Sequence, residues 1–536
     1  MPQPALIITG ASGFVGRHLL EDLKRDYRIF ALARRSQREC GAPVDDNIAW
    51  MQVDIGDRER LERTFREIAS AGGSRILIHL AAYYDFAGEN RPEYRRTNVE
   101  GTRNVLEVAR GLGLERFVLA SSVAACAFPR REGPVTEATP PDGKHIYAWS
   151  KREAEKQLRS FRDQVPGCVV RFGAVFSDWC EYPPLYMFLN TWLSSSWRAR
   201  ILGGRGESAI PYVHVRDVVA FFRRLLVRID RLENGETLIV STEGGISHRE
   251  LYEAATRCRF GRARQPILVP KHLCGLGILG MSLLGRLTSR MPFERPWMAR
   301  YIDHRLEVDN SATRNRLGWT PTARYRLDRR MPYLIEHLRS EPFQWHARNE
   351  FAMRRAPARP DLRIYNAMAR IEDLVVSDVV TAILEERTRP ELPRFKALDR
   401  DELAWRIRLY FRLLLTSVQN ADRMQIANYM GITSMSRFRA GFTGEELRAM
   451  LDLFNGIVLY NLASRAECAE SETEVYQRVT IPIEFAKDEV REQYARFLEG
   501  VEDEEIAPPG ETPAEPPLAG RQALEETIWS LLVHRK

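Results

Sequence analysis

Tyr147 and Lys151 stand four residues apart in Tyr147-Ala-Trp-Ser-Lys151, a spacing that puts both side chains on one face of a helix. A phenol titrating near its ordinary value of about 10 is a weak base at neutral pH, and a neighbouring ammonium favours the phenolate. The pair is expected to give or take a hydroxyl proton as general acid and base, with Lys151 lowering the phenol's pKa. A plain surface helix is the alternative for so short a motif. Upstream, ALIIT runs into TGASGFVGRHLL, which sets Gly10, Gly13 and Gly16 at a strand-to-helix turn with Ser12, Phe14 and Val15 among them. Side chains at the glycine positions would keep a phosphate away from the backbone N–H groups of the helix's first turn. A strand before and a helix after is the setting in which such a triplet binds a dinucleotide.

The next strand-like run, RIFALA, ends at Ala33, and Arg34 and Arg35 follow at once. A carboxylate there would accept from the ribose 2′-OH of NAD, whereas a guanidinium binds the 2′-phosphate of NADP. NADP(H) is therefore the expected cofactor, with NAD(H) the second choice; two solvated arginines on a loop are the alternative.

These groups need a scaffold, and the apolar runs ALIIT, RIFALA, RILIHLA, RFVLASS, CVVRF and TLIVS alternate with helical patterns. That alternation predicts an α/β fold, a Rossmann-type doubly wound parallel sheet with a small substrate-binding lobe. After an Arg-, Pro- and aromatic-rich stretch from Arg324 to Arg359 the pattern turns purely helical. Ile364, Met368, Ile371, Val375 and Val379 fall at steps of three and four, as do Leu403, Ile407, Tyr410, Leu414 and Val418, and Leu447, Leu451, Phe454 and Val458. The expected organisation is a catalytic domain over 1–340, a linker over 341–360 and an all-α helical bundle over 361–498. A disordered acidic, proline-rich linker over 499–520 and a short terminal helix over 521–536 complete it.

A formal net charge of +7 spread over 536 residues is too dilute for a nucleic-acid footprint. Seven cysteines without CxxC spacing or a Cys/His cluster point to a reducing cytoplasm and no metal site. The start MPQPALIITG lacks the basic and apolar regions of a secretory signal. No apolar run reaches the roughly 18–20 residues that cross a bilayer. Leu273–Leu284 comes nearest; it is expected to be a core or pocket-lining helix, with a peripheral membrane contact that admits a greasy substrate as the alternative.

In order and spacing these motifs resemble the extended short-chain dehydrogenases/reductases, the NAD-dependent epimerase/dehydratase family, over residues 5–335. The resemblance implies that Asp54 and Ile55 of VDIGD contact adenine and that His79, Leu80, Ala81 and Ala82 of HLAA pass under the cofactor. It places Asn98 of TNVEGT in the same site, gives Ser122 rather than Ser121 the hydrogen bond to the reacting oxygen, and has Lys151 hold the nicotinamide ribose. CVVRFGAVFSDWCEYPP keeps Arg171 but carries Phe172, Ala174 and Ser177 where the family usually has proline, asparagine and glycine. Ile210 and Pro211 stand where sugar-nucleotide enzymes commonly carry an Arg-Asp pair, so two polar contacts to a diphosphate are missing.

Phe172, Phe176, Trp179, Tyr182, Tyr186, Phe188 and Trp192 offer instead an apolar pocket or ordinary core packing. The chain is most similar to the branch of 3β-hydroxysteroid dehydrogenases and dihydroflavonol reductases, and DNSATRNRLGWTP matches the family's closing segment. This implies an oxidoreductase acting on a hydroxyl or ketone of a steroid-, lipid- or polyphenol-like molecule, with a homodimer as the assembly. A nucleotide-sugar epimerase or dehydratase using transient hydride transfer, and an NADP-ratio sensor acting through the helical domain, are the alternatives. Residues 361–465 faintly resemble the helical sensor domains of stressosome co-antagonists, which are globin-like without haem. No histidine lies between His346 and His534, which excludes a proximal-histidine haem there.

Overall fold

Apolar runs rich in Ile, Val, Leu and Phe become strands buried on both faces, as a parallel sheet covered by helices requires, with the edge strand IAWMQ only partly buried. In the computed structural model these are β1 Ala5–Thr9, β2 Arg28–Ala33, β3 Ile48–Gln52, β4 Ile76–His79, β5 Arg116–Ser122, β6 Gly167–Phe172 and β7 Thr237–Val240. The structure describes residues 3–37, 40–85, 89–128, 133–287, 296–352, 360–384, 391–420, 422–463, 465, 468 and 472–500. All neighbours in the sheet pair in parallel, in the order β7-β6-β5-β4-β1-β2-β3. The order reverses between β1 and β4, and the carboxyl ends of those two strands open the crevice where such sheets bind ligands. Helices α1 Phe14–Leu23, α2 Arg58–Ser70, α3 Gly101–Ala109 and α4 Ile146–Ser160 connect the strands, and α3 is entered through a π-helix, Tyr94–Glu100. Buried aliphatic and aromatic side chains fill both sides of the sheet.

The chain divides into two compact units, Met1–Arg354 and Arg355–Lys536. The linker expected at 341–360 is corrected over much of its length: Pro342–Ala352 is a helix of the first unit. Trp345 is buried in the core of the substrate lobe, and Tyr186 shares a 2.8 Å hydrogen bond with His346. A boundary drawn from Arg and Pro content could not register that anchor.

The second unit is helical, with α5 Pro360–Leu384, α6 Arg400–Asn420, α7 Gln425–Arg439, α8 Gly444–Ala463 and α9 Ile481–Gly500 as its long members. Every position singled out by its three-and-four spacing is buried in one core. The segments expected at 501–520 and 521–536 lie outside the described residues.

The apolar run Leu273–Leu284 lies within a helix, Lys271–Leu287, but the expected core role fails where its side chains are described: Leu273 is 49% and Leu279 57% exposed. Among the described residues no helix is long and apolar enough to cross a membrane.

Candidate active site

The glycine turn is built for close approach. Gly10 has φ of +72°, and a Cβ there would come within 2.6 Å of the Ala81 nitrogen, so the turn after β1 rests directly on the backbone after β4. A Cβ on Gly16 would meet the Gly10 oxygen at 2.5 Å. Gly13 caps α1 without a side-chain hydrogen bond, which leaves the helix's first N–H groups facing the crevice for a phosphate. Ser12, Phe14 and Val15 lie on this turn, and Leu80, Ala81 and Ala82 line the opposite wall. These residues fit a dinucleotide.

Arg34 and Arg35 part company after β2. Arg34 is exposed, and its charge reaches the Asp54 carboxylate. The Arg35 guanidinium donates to the Ser12 carbonyl at 2.7 Å and lies 4.8 Å from the centre of the Phe351 ring. Asp54 accepts from Gly56 N and from Arg96, each at 2.9 Å. Burial opposes its charge, but those bonds hold its carboxyl below the usual range. Ile55 is buried and touches the α3 start at Gly101.

His79 is neutral, pulled down to about 3 by burial. Thr102 donates to the Asn98 carbonyl and so accepts from His79 Nε2–H at 3.0 Å, leaving Nδ1 to accept from Thr9 at 2.7 Å. His79 thus ties β1 and β4 to α3.

Ser122 ends β5, and Tyr147 and Lys151 occupy the first turns of α4. Burial pushes the Tyr147 phenol up to about 12, against a hydrogen bond from Ser122 that favours the phenolate. Burial also brings the Lys151 ammonium down to about 8, against the attraction of Glu155. The expected lowering of Tyr147 by Lys151 is not what the geometry gives. Lys151 Nζ donates to the Ala120 carbonyl at 2.8 Å and lies 6.0 Å from the phenol ring's centre. The phenol is therefore protonated at neutral pH.

One turn beyond Lys151, Glu155 accepts from Ser121 at 2.6 Å and from Arg171 at 3.0 and 2.9 Å. Arg171 also donates to the Thr139 carbonyl at 2.6 Å. Both charged side chains are almost fully buried. This ion pair fastens α4 to β5 and β6, and a charged residue inside the apolar run CVVRF was its only signal in the sequence.

Asn98 acts at one remove from the crevice. Its Oδ1 accepts from Tyr83 N at 2.6 Å, while Nδ2 donates to the Tyr83 carbonyl and to Ser150 Oγ, each at 2.9 Å. Tyr94, on the same π-helix, bonds both the amide and the carbonyl of Asp85. Between those two clamps Tyr84 is delivered against Tyr147, ring centres 4.8 Å apart and edge to face. Neither Tyr84 nor Tyr94 was singled out by sequence reasoning.

The aromatic run of the lobe divides. Phe176, Tyr186 and Trp192 are core, and Phe172 stacks on Phe222, so for these four the structure selects core packing over the pocket. Tyr182 is pushed up chiefly by burial, and it stays close enough to Tyr147 for that phenol to oppose its ionisation as well. It follows a turn in which Cys180 and Glu181 take φ of 75° and 52°, a region non-glycine residues seldom occupy. Asn349 of the appended helix braces that turn through Glu181 N and the Trp179 carbonyl, each at 2.8 Å.

Residues 6–241 match the model described as the NAD dependent epimerase/dehydratase family. Over those residues the first unit is similar to that family. It is a family of nicotinamide-dependent enzymes. The chain is 27% identical over 256 residues to a dTDP-glucose 4,6-dehydratase of Mycobacterium tuberculosis, covering 45% of this chain and 72% of that protein. It is 22% identical over 346 residues to a 3beta-hydroxysteroid-dehydrogenase/decarboxylase of Arabidopsis thaliana, covering 59% and 75% respectively. A UDP-glucose 4-epimerase structure from Thermotoga maritima superposes with a TM-score of 0.48 at 21% identity, covering 62% of this chain and 98% of the other.

Proposed function

We propose that the first unit transfers hydride between NADP(H) and a hydroxyl or ketone of an apolar molecule, with Tyr147 as general acid and base. The observation that carries this reading is the placement of Tyr147 at the start of α4, beside Ser122 at the end of β5, with Tyr84 edge to face against its ring and Lys151 one turn on. Bound nicotinamide supplies or accepts the hydride. Ser122 and Tyr147 hydrogen-bond the substrate oxygen, and Tyr147 hands its proton to the alkoxide that forms on reduction. Burial favours the phenol over the phenolate, and the phenol is the form that donates this proton. Lys151, fixed by Ala120, is placed to donate to the nicotinamide ribose.

Support for an apolar substrate comes from Tyr84, Tyr94 and Tyr182 around Tyr147 and from Ala174 and Ile210 at positions where polar contacts to a diphosphate would be expected. The likeness to a 3beta-hydroxysteroid dehydrogenase points the same way. Arg34 and Arg35, flanking the end of β2, favour NADP. Trp197, Ile267, Leu268, Leu273 and Leu279 are exposed, and Arg198, Arg200, Arg262 and Lys271 lie exposed among them in the chain. Apolar side chains set among cations suit the surface of an anionic membrane, from which a greasy substrate would be drawn.

NADPH oxidation with a panel of apolar ketones tests the reading. Tyr147→Phe should abolish turnover while cofactor binding persists, and unchanged turnover would overturn the mechanism. The likeness to a dTDP-glucose 4,6-dehydratase favours a second reading, transient hydride transfer on a nucleotide sugar. Tightly co-purifying cofactor with no net absorbance change at about 340 nm during turnover would select it.

A further inference from the structure

The helical unit contains a buried cation that has no carboxylate partner among the described residues. Arg437, near the end of α7, is 6% exposed, and its Nε and Nη1 find no hydrogen-bond acceptor. Other cations of this unit pair with carboxylates: Arg406 with Glu402, Arg408 and Arg412 with Glu372, Lys487 with Asp452. Around Arg437 stand Tyr410 from α6, Tyr429 from α7, Tyr494 from α9, and Phe442. The ring centres of Tyr410 and Phe442 each lie 5.8 Å from its Cζ. Aromatic faces attract a guanidinium, but they do not accept its in-plane N–H groups. The buried Glu446 carboxylate accepts instead from Arg394 N and Phe395 N.

The neighbouring phenols are of the same polarity. The Tyr410 oxygen lies within reach of the Arg437 guanidinium, but the hydroxyls of Tyr410 and Tyr494 are buried with no acceptor of their own, and burial pushes both phenols up to about 12, so they remain donors. Burial opposes the charge on Arg437, but a guanidinium stays protonated, and the Tyr429 phenol oxygen accepts from it. Among the described residues, therefore, nothing receives Nε and Nη1 of the guanidinium or the two phenol hydroxyls. A buried charge is retained only when compensated, and buried donors call for an acceptor. Water could accept from one or two of these groups, but it carries no charge to set against the cation.

We propose that the helical unit binds one small monovalent anion, a halide or a simple carboxylate, at Arg437 with Tyr410 and Tyr494 as additional donors. The site is independent of the activity assigned to the first unit.

The test is line broadening of ³⁵Cl in sodium chloride and of ¹³C-formate in sodium formate, recorded on the full-length chain. Wild type should show saturable excess width for at least one probe. That width should vanish in Arg437→Met and its midpoint should weaken several-fold in Tyr410→Phe. Displacement of chloride by substoichiometric formate identifies a carboxylate site, and its persistence identifies a halide site. Should Arg437→Met fail to fold by circular dichroism, Tyr410→Phe and Tyr494→Phe carry the reading on their own. No excess width for either probe, or the same width and midpoint in folded variants, overturns the proposal.

Discussion

Replacing Glu155 by Gln keeps the shape of the side chain and removes the charge that Arg171 depends on. Arg171 is 2% exposed and its guanidinium would then sit in the interior with the Thr139 carbonyl as its remaining strong acceptor. Removing one partner of a buried ion pair costs about 3–5 kcal/mol, most of it the uncompensated charge left behind. Even the lower figure shifts the folding equilibrium of the first unit by about a hundredfold. Urea unfolding followed by tryptophan fluorescence reads this directly. The same change has a catalytic signature, because Glu155 holds up the Lys151 ammonium, which burial brings down to about 8 even with that support. If reduction requires the charged lysine, kcat falls as pH rises through that value in wild type. In Glu155→Gln the fall should begin at lower pH. Replacing both Glu155 and Arg171 by Met should recover much of the lost stability, since no charge is then stranded. A cost below about 1 kcal/mol, or a double variant whose loss equals the sum of its parts, would refute the account of the pair. An unmoved pH limb would refute its link to Lys151.

Three further outcomes follow from the geometry. Titration by tryptophan quenching should show NADPH binding at least tenfold tighter than NADH, about 1.4 kcal/mol, with the preference lost in the Arg34→Ala, Arg35→Ala double variant; equal affinities in wild type would remove the NADP assignment. Asp178, buried against its own charge but bonded by His214 and Arg330, has its carboxyl held far below the usual range. A depressed carboxyl stabilises the fold above its unfolded value near 3.9 and loses that contribution as pH falls toward the folded value, by about 1.4 kcal/mol per unit of depression. Asp178→Asn should therefore be less stable than wild type at pH 7, with the gap narrowing below about pH 4; a gap constant with pH would exclude ionisation as its source. Finally, the full chain should co-float with vesicles containing anionic lipid but not with neutral ones, and Trp197→Ser with Leu279→Asp should abolish this. Flotation unchanged in that variant would remove the surface from consideration.

What the sequence disclosed was what local spacing controls. The strands were legible because apolar runs such as ALIIT and RFVLASS are buried on both faces, and the bundle because steps of three and four leave one apolar stripe per helix. Tyr147, Lys151 and the glycine turn were legible for the same reason. The remainder depends on partners far along the chain. Whether Phe176 or Tyr182 lines a pocket is decided by packing, since both read alike as aromatic residues in one run. The direction of the Tyr147 shift is decided by burial, while the Ala120 carbonyl holds the ammonium that would otherwise oppose it. Trp345 and Asn349 look like linker residues until the lobe that receives them is in place.

The π-helix at Tyr94–Glu100 has a consequence for chain length. A π turn holds roughly one residue more than an α turn. Deleting a single residue between Tyr94 and Asn98 would restore the α period and rotate everything before it by about 100° around the axis. Tyr94 and Asn98 could then no longer grip the segment Tyr83–Asp85 together. A relative with a one-residue gap in this segment would thus present a different wall to its substrate while retaining every catalytic side chain.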